Sequence, residues 1–128
     1  MMKIAIYGQY YKEEDEKYVE ELFNTLKKHF IEFVIEENYY LGLKKHHKIK
    51  VFKTFSSYKE LNNSFDFMFT IGGDGTILRA ATFIRNSNIP IVGINTGRLG
   101  FLATVQKDEI TNAIELLLKG KFLVKERS

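Results

Sequence analysis

Cysteine is absent from this 128-residue chain and proline occurs once. The missing cysteine excludes disulfides and thiolate-held metals, and makes a reducing compartment, the cytosol, the expected setting. No apolar run approaches the roughly 20 residues needed to cross a bilayer. The opening "MMKIAIYGQYY" has too short an apolar stretch for a secretory signal, so no membrane partner is expected. Histidine is nearly as scarce. His46 and His47 are adjacent and point different ways on any regular element, which argues against a metal pair, and His29 reads as a surface residue near a helix end. The phosphate-loop pattern GxxxxGK[ST] occurs nowhere, and no Ser, Cys/His or zinc constellation is present to carry acyl transfer or metal hydrolysis.

Charge of one sign is in small excess. The net +3 favours anionic ligands without naming one. Basic residues are densest at Lys44, Lys45, His46, His47, Lys48 and Lys50, a run short enough to read as a solvated loop or edge, so no nucleic-acid partner is expected. With 45% hydrophobic and 27% charged residues the chain has the composition of a folded domain, long enough to bury about two thirds of its unfolded surface in one core.

The apolar pattern alternates between strand and helix periods. "KIAIY" (Lys3 to Tyr7) is a short strand closed by Gly8, and from Asp15 a helix follows with Val19, Phe23, Leu26 and Phe30 on one face. "EFVIE" (Glu32 to Glu36) completes a β-α-β unit, the building block of parallel sheets. "KIKVFKTF" (Lys48 to Phe55) reads as an edge strand and "YKELNN" as a helical turn. Phe65 to Ile71 is a strand covered on both faces, followed by a helix with Ile77, Ala80, Ala81 and Ile84 inward that ends near Asn86. "IPIVGIN" (Ile89 to Asn95) is a further buried strand opened by the lone Pro90, and "TGRLGFLATV" a glycine-punctuated loop. A last helix runs from about Asp108 with Ile110, Ile114, Leu117 and Leu118 inward and Gly120 as its stop. These elements make an α/β domain, an open, doubly wound and mostly parallel sheet. The domain is expected over residues 1–120, with 121–128 as a strand just begun, the start of a truncated second domain or a tail.

The chemistry concentrates in "FMFTIGGDGTILRAA" (Phe67 to Ala81), where a buried strand breaks at three glycines around one carboxylate. Ligands of open α/β sheets sit outside the carboxyl ends of strands. Gly72, Gly73 and Gly75 leave backbone amides accessible to a phosphate, and the amides opening the next helix, near Thr76, carry its positive dipole end. Asp74 conflicts with a phosphate unless a Mg²⁺ lies between them, or unless the carboxylate accepts the proton of a substrate hydroxyl. The competing reading makes Asp74 a helix cap and the glycines a plain turn.

"GGDGT" (Gly72 to Thr76) resembles the shared signature of the kinase superfamily that holds NAD kinases and the diacylglycerol and sphingosine kinases, with phosphofructokinases as distant relatives. "GINTGRLGFL" (Gly93 to Leu102) is similar to the second NAD kinase motif, at the usual distance. Lipid kinases would show a Pro-x-Gly-Thr-x-Asn-Asp type segment there and Asn-Glu soon after GGDGT, where this chain has "ILRAA"; phosphofructokinases would open on a glycine-rich loop where Gly8 stands alone. The resemblance implies phosphoryl transfer from ATP, or polyphosphate, to the adenosine 2′-hydroxyl of NAD, with Mg²⁺ or another divalent cation as cofactor and small-molecule nucleotides as partners. It implies Asp74 as general base and possible metal site, Gly72, Gly73, Gly75 and Thr76 as backbone contacts, and Arg79 approaching the ligand. Phe101 either stacks on a base or belongs to the core; Asn95 and Thr96 either bond the ligand or fix the turn. The family's second, β-rich domain, with its Asn-Glu/Asp pair and "GSTAY"-like segment, has no counterpart here. The chain is therefore expected to be the N-terminal half of a homo-oligomeric NAD kinase, either cut at a domain boundary or a natural stub, and inactive alone. A lipid or sugar kinase and a non-catalytic nucleotide-binding module are the alternatives.

Overall fold

The computed structural model describes residues 2–8, 12–46, 53–56, 61, 64–84, 89–96, 105–106 and 109–118, without the side chains of His46, Asp74 and Phe83. Six strands, β1 (Lys3–Gly8), β2 (Glu32–Glu36), β3 (Thr54–Phe55), β4 (Phe67–Gly72), β5 (Ile91–Asn95) and β6 (Val105–Gln106), form one sheet in the order β3-β2-β1-β4-β5-β6. All its ladders are parallel, from Ile4 against Phe33 and Phe67 at the centre to Ile94 against Val105 at one edge. The doubly wound α/β fold expected from the alternating periods is the fold observed. Among the described residues four α-helices accompany the sheet: α1 (Glu16–Lys28), α2 (Glu37–His46), α3 (Asp74–Ile84) and α4 (Ile110–Leu118). Among the described residues no helix is long and apolar enough to cross a membrane.

The strands read as unbroken apolar runs because both faces are covered. Successive side chains point to opposite faces, so Ile4, Ile6, Ile35, Phe69, Ile71, Val92 and Ile94 join the core under α1, α2 and α4. Ala5, Tyr7, Val34 and Met68 join the opposite core with Ala80 of α3, Leu61 and Phe65. Helices α1 and α4 run in parallel on the first face, joined where Thr111 Oγ1 donates to Glu21 Oε2 at 2.8 Å and lies 3.3 Å from Thr25 Oγ1.

Several helix ends depart from the sequence pattern. α1 ends at Lys28, and Phe30, the expected fourth member of its buried stripe, is 82% exposed with φ +58°. The reason is a Schellman turn: Phe30 N–H donates to the Lys27 carbonyl at 3.0 Å and Ile31 N–H to the Leu26 carbonyl at 2.9 Å, with Leu26 and Ile31 buried. Phe30 thus holds the left-handed position that glycine normally fills, at a cost of about 1–2 kcal/mol for an L-residue. Phe30→Gly is expected to stabilise the fold by about 1 kcal/mol. A melting temperature unchanged or lowered by this substitution would show that the exposed ring contributes more than the strain it carries.

His29 is also corrected. It is half-buried against α4, with Nε2 3.8 Å from Glu115 Oε2. Leu118 and Ala81 are exposed rather than inward, because the inner face of α4 is Ile110, Ala113, Ile114 and Leu117 and that of α3 centres on Ala80. Helix α2 and strand β6 were not anticipated. Tyr39, Tyr40 and Leu43 bury the inner side of α2, and Val105 lies within the segment expected to be loop. The expected edge strand is seen at Thr54–Phe55, while Lys48 to Phe52, the "YKELNN" turn other than Leu61, His47 and the tail from Lys121 fall outside the described residues. Pro90 precedes β5 and its carbonyl accepts the Met68 amide at 2.9 Å.

Candidate functional site: the glycine turn after the fourth strand

In this strand order the chain reverses direction of winding between β1 and β4, so the crevice outside their carboxyl ends is the place where such sheets bind ligands. Two strand ends border it, and the structure treats them differently.

The β1 end is closed. A Cβ at Gly8 would come within 2.5 Å of the Tyr39 ring, so glycine is required there by packing against α2. At the end of β2, where dinucleotide-binding sheets place an acidic residue on the ribose, Glu36 is buried. Its two carboxylate oxygens accept the amides of Asn38 at 3.1 Å and Tyr39 at 3.0 Å, capping α2. Neither residue was singled out as functional from the sequence, and both turn out to fill a position where a cofactor would sit in other sheets of this order. The Tyr39, Tyr40 and Leu43 spacing was the available signal for the helix that does so.

The β4 end is open. Gly72 has φ +146°, a backbone region reserved for glycine, and a Cβ there would collide with Thr76 Oγ1. The Gly72 carbonyl accepts the Thr96 amide at 3.2 Å, and Gly72 pairs in register with Asn95, tying the turn to the end of β5. Helix α3 begins at Asp74, and the Gly73 carbonyl accepts the amides of Thr76 at 3.1 Å and Ile77 at 3.4 Å. Gly73 is therefore the N-cap. This corrects the capping reading of Asp74, which occupies the first helical position instead.

Gly73 and Gly75 behave unlike Gly72. Neither has a positive φ, and a Cβ added to either would meet nothing within 4 Å among the described residues. Among the described residues nothing demands glycine at these two positions. What glycine does provide is bare backbone at the N-terminus of an eleven-residue helix, with the positive dipole end directed out of the sheet.

The other expected site residues divide by depth. Thr76 is buried beneath the turn and Asn95 is 1% exposed at the end of β5, while Leu78 and Arg79 lie exposed on α3 one turn beyond the glycines. The side chain of Asp74, and Phe101 altogether, fall outside the described residues. Among the described residues there is no group of three or more His, Cys, Asp or Glu fit to hold a metal ion.

The family model described as the ATP-NAD kinase N-terminal domain matches residues 4–122. The chain belongs to this family. It is 52% identical to the NAD kinase of Christiangramia forsetii over 128 residues, covering 99% of this chain and 44% of the relative. With the NAD kinase of Flavobacterium johnsoniae it shares 47% identity over the same share of each. It also resembles the solved yeast NADH kinase complexed with NADH, with a TM-score of 0.78 at 17% identity, over 94% of this chain and 39% of that one. At that identity the likeness shows the fold. The ATP-NAD kinase N-terminal domain thus spans nearly all of this chain, and the chain spans less than half the length of the curated relatives it matches.

Proposed function

We propose that this chain is the phosphate-side half of an NAD kinase active site, acting within a longer polypeptide to transfer a phosphoryl group from ATP or polyphosphate to the adenosine 2′-hydroxyl of NAD. The observation that carries the reading is the pair Gly73 and Gly75 at a helix N-terminus, glycines that neither a positive φ nor packing among the described residues explains. Bare amides there suit a phosphate, and side chains at those positions would keep it away.

In the reaction the 2′-oxygen forms a bond to the terminal phosphorus of the donor, and the bond from that phosphorus to its bridging oxygen breaks. The departing phosphate keeps the electron pair, and the proton of the 2′-hydroxyl passes to the Asp74 carboxylate. Positioning and charge stabilisation dominate such transfers. The backbone of Gly72, Gly73 and Gly75 holds phosphate with Thr76 beneath it, Asp74 is the base, and Arg79 and Phe101 approach the nucleotide. Asn95 and Thr96 fix the turn. Mg²⁺ or another divalent cation would neutralise charge on the donor's phosphates, with Asp74 as its possible ligand. The α/β domain is read over residues 1–120, with 121–128 as the start of a second domain or a tail. The parent is a cytoplasmic homo-oligomer whose partners are small nucleotides.

The test is NADP formation by the full-length gene product with NAD, Mg²⁺ and either ATP or polyphosphate. Product is expected, with none from diacylglycerol, sphingosine or a sugar phosphate as acceptor. The 128-residue chain alone is expected to form no measurable NADP, because half of the nucleotide's contacts would come from the remaining polypeptide. Robust turnover by the short chain would overturn the half-site reading, and nucleotide binding without product from the full-length protein would make this a binding module.

A further inference from the structure

Gly72 presents a physical problem that the sequence does not reveal. A glycine has no side chain to hold its own peptide in one orientation, yet this peptide sets the course of everything that follows in the turn. Among the described residues it is held by the ladder with Asn95, the Thr96 amide on its carbonyl at 3.2 Å, and the side chain of Thr76. The first two act on the side of β5. Thr76 acts from within the turn itself.

Thr76 is 8% exposed, and its side chain occupies the space where any other residue at position 72 would carry its Cβ. Its Oγ1 lies closest there, its own Cβ is 3.1 Å from that point and its Cγ2 3.5 Å. Its amide closes back on the Gly73 carbonyl at 3.1 Å, so the same residue touches the turn from two directions. A β-branched side chain is stiff about χ1, which suits a wedge. The glycine at 72 and the threonine at 76 thus form a matched pair, one removing a Cβ and the other filling its place.

We propose that Thr76 is a positioning residue: its side chain locks the Gly72–Gly73 peptide by shape, and through it aims the α3 amides and the backbone of Asp74 at the phosphate. The inference rests on the proposed phosphoryl transfer and assigns the Thr76 side chain to the turn rather than to the ligand. Displacements of about 1 Å in such a site cost about 10²-fold in rate.

The experiment compares Thr76→Ala, Thr76→Val and Thr76→Ser in the full-length gene product, reading kcat, KM for NAD, melting temperature and amide hydrogen exchange over residues 72–76. Thr76→Ala is expected to lower kcat by about 10²-fold with KM changed less than about threefold, to melt within about 5 °C of the parent, and to speed exchange across the turn. Thr76→Val, which keeps the branched shape, is expected to stay within about tenfold of the parent in kcat with parent-like exchange; Thr76→Ser falls between Val and Ala, because its side chain turns more freely. A kcat for Thr76→Ala within threefold of the parent overturns the proposal. So does a Ser variant equal to the parent beside a Val variant as poor as Ala, which would make the hydroxyl a ligand contact, and so does a raised KM with kcat unchanged. If the parent itself forms no NADP, the kinase reading fails, and hydrogen exchange still decides whether Thr76 orders the turn.

Discussion

Replacing Asp74 with Asn in the full-length gene product is expected to lower kcat by about 10²- to 10⁴-fold, the range associated with a lost general base, with little change in KM for NAD. The amide is nearly the same shape as the carboxylate but accepts no proton from the ribose. The binding contribution assigned to Gly72, Gly73 and Gly75 is carried by backbone and is untouched. Stability provides the control. Gly73, not Asp74, caps α3, since the Gly73 carbonyl accepts the first helical amides. Removing a charge from the first turn of a helix is expected to cost about 0.3–1 kcal/mol through the dipole. Measured kcat, KM and thermal melts at saturating Mg²⁺ separate the roles. An Asn variant turning over within about threefold of the parent would remove Asp74 from the chemistry.

The second large effect is a divergence among three neighbouring glycines. Gly72→Ala is expected to destabilise the fold by about 2–4 kcal/mol, combining left-handed backbone strain with overpacking against Thr76. Gly75→Ala is expected to do the opposite. Gly75 lies in α3 with open space where a methyl would go, so alanine should stabilise by about 0.5–1 kcal/mol through helix propensity. That same methyl would stand in the space reserved for the phosphate. Turnover, as kcat/KM, is expected to fall about 10- to 200-fold, the scale of one misplaced methyl group. Chemical denaturation beside steady-state kinetics checks both. A Gly75→Ala protein that is more stable and fully active would show that nothing approaches this backbone, and the phosphate-cradle reading would fail with it.

Much of the fold was legible because its strands are buried on both faces. "EFVIE" coincides with β2, and the run from Phe65 contains β4, since continuous apolar stretches of that length have few other solutions. Helix ends were less legible. Phe30 and Leu118 continue the helical spacing of Leu26 and Ile114, but spacing carries no information on where the backbone turns away. Phe30 occupies a left-handed position that the sequence would normally mark with glycine. Helix α2 was missed because its inner positions are two tyrosines and Leu43 interrupted by Gly42, a weak signal beside the basic run that follows.

The sequence by itself determined the alternation of strands and helices, the glycine turn at a strand's carboxyl end and, through its two motifs, the resemblance to one kinase family. These are local properties, set by residues within a few positions of one another. Tertiary structure decided how the two strand ends differ. The strand order places the crevice between β1 and β4, Tyr39 closes the first of these against Gly8, and Glu36 caps α2 instead of facing a ribose. It also separated Gly72, required by its φ and by Thr76, from Gly73 and Gly75, which the fold leaves bare. Such distinctions are steric, arising between atoms that only folding brings into contact, and composition and spacing contain no term for them.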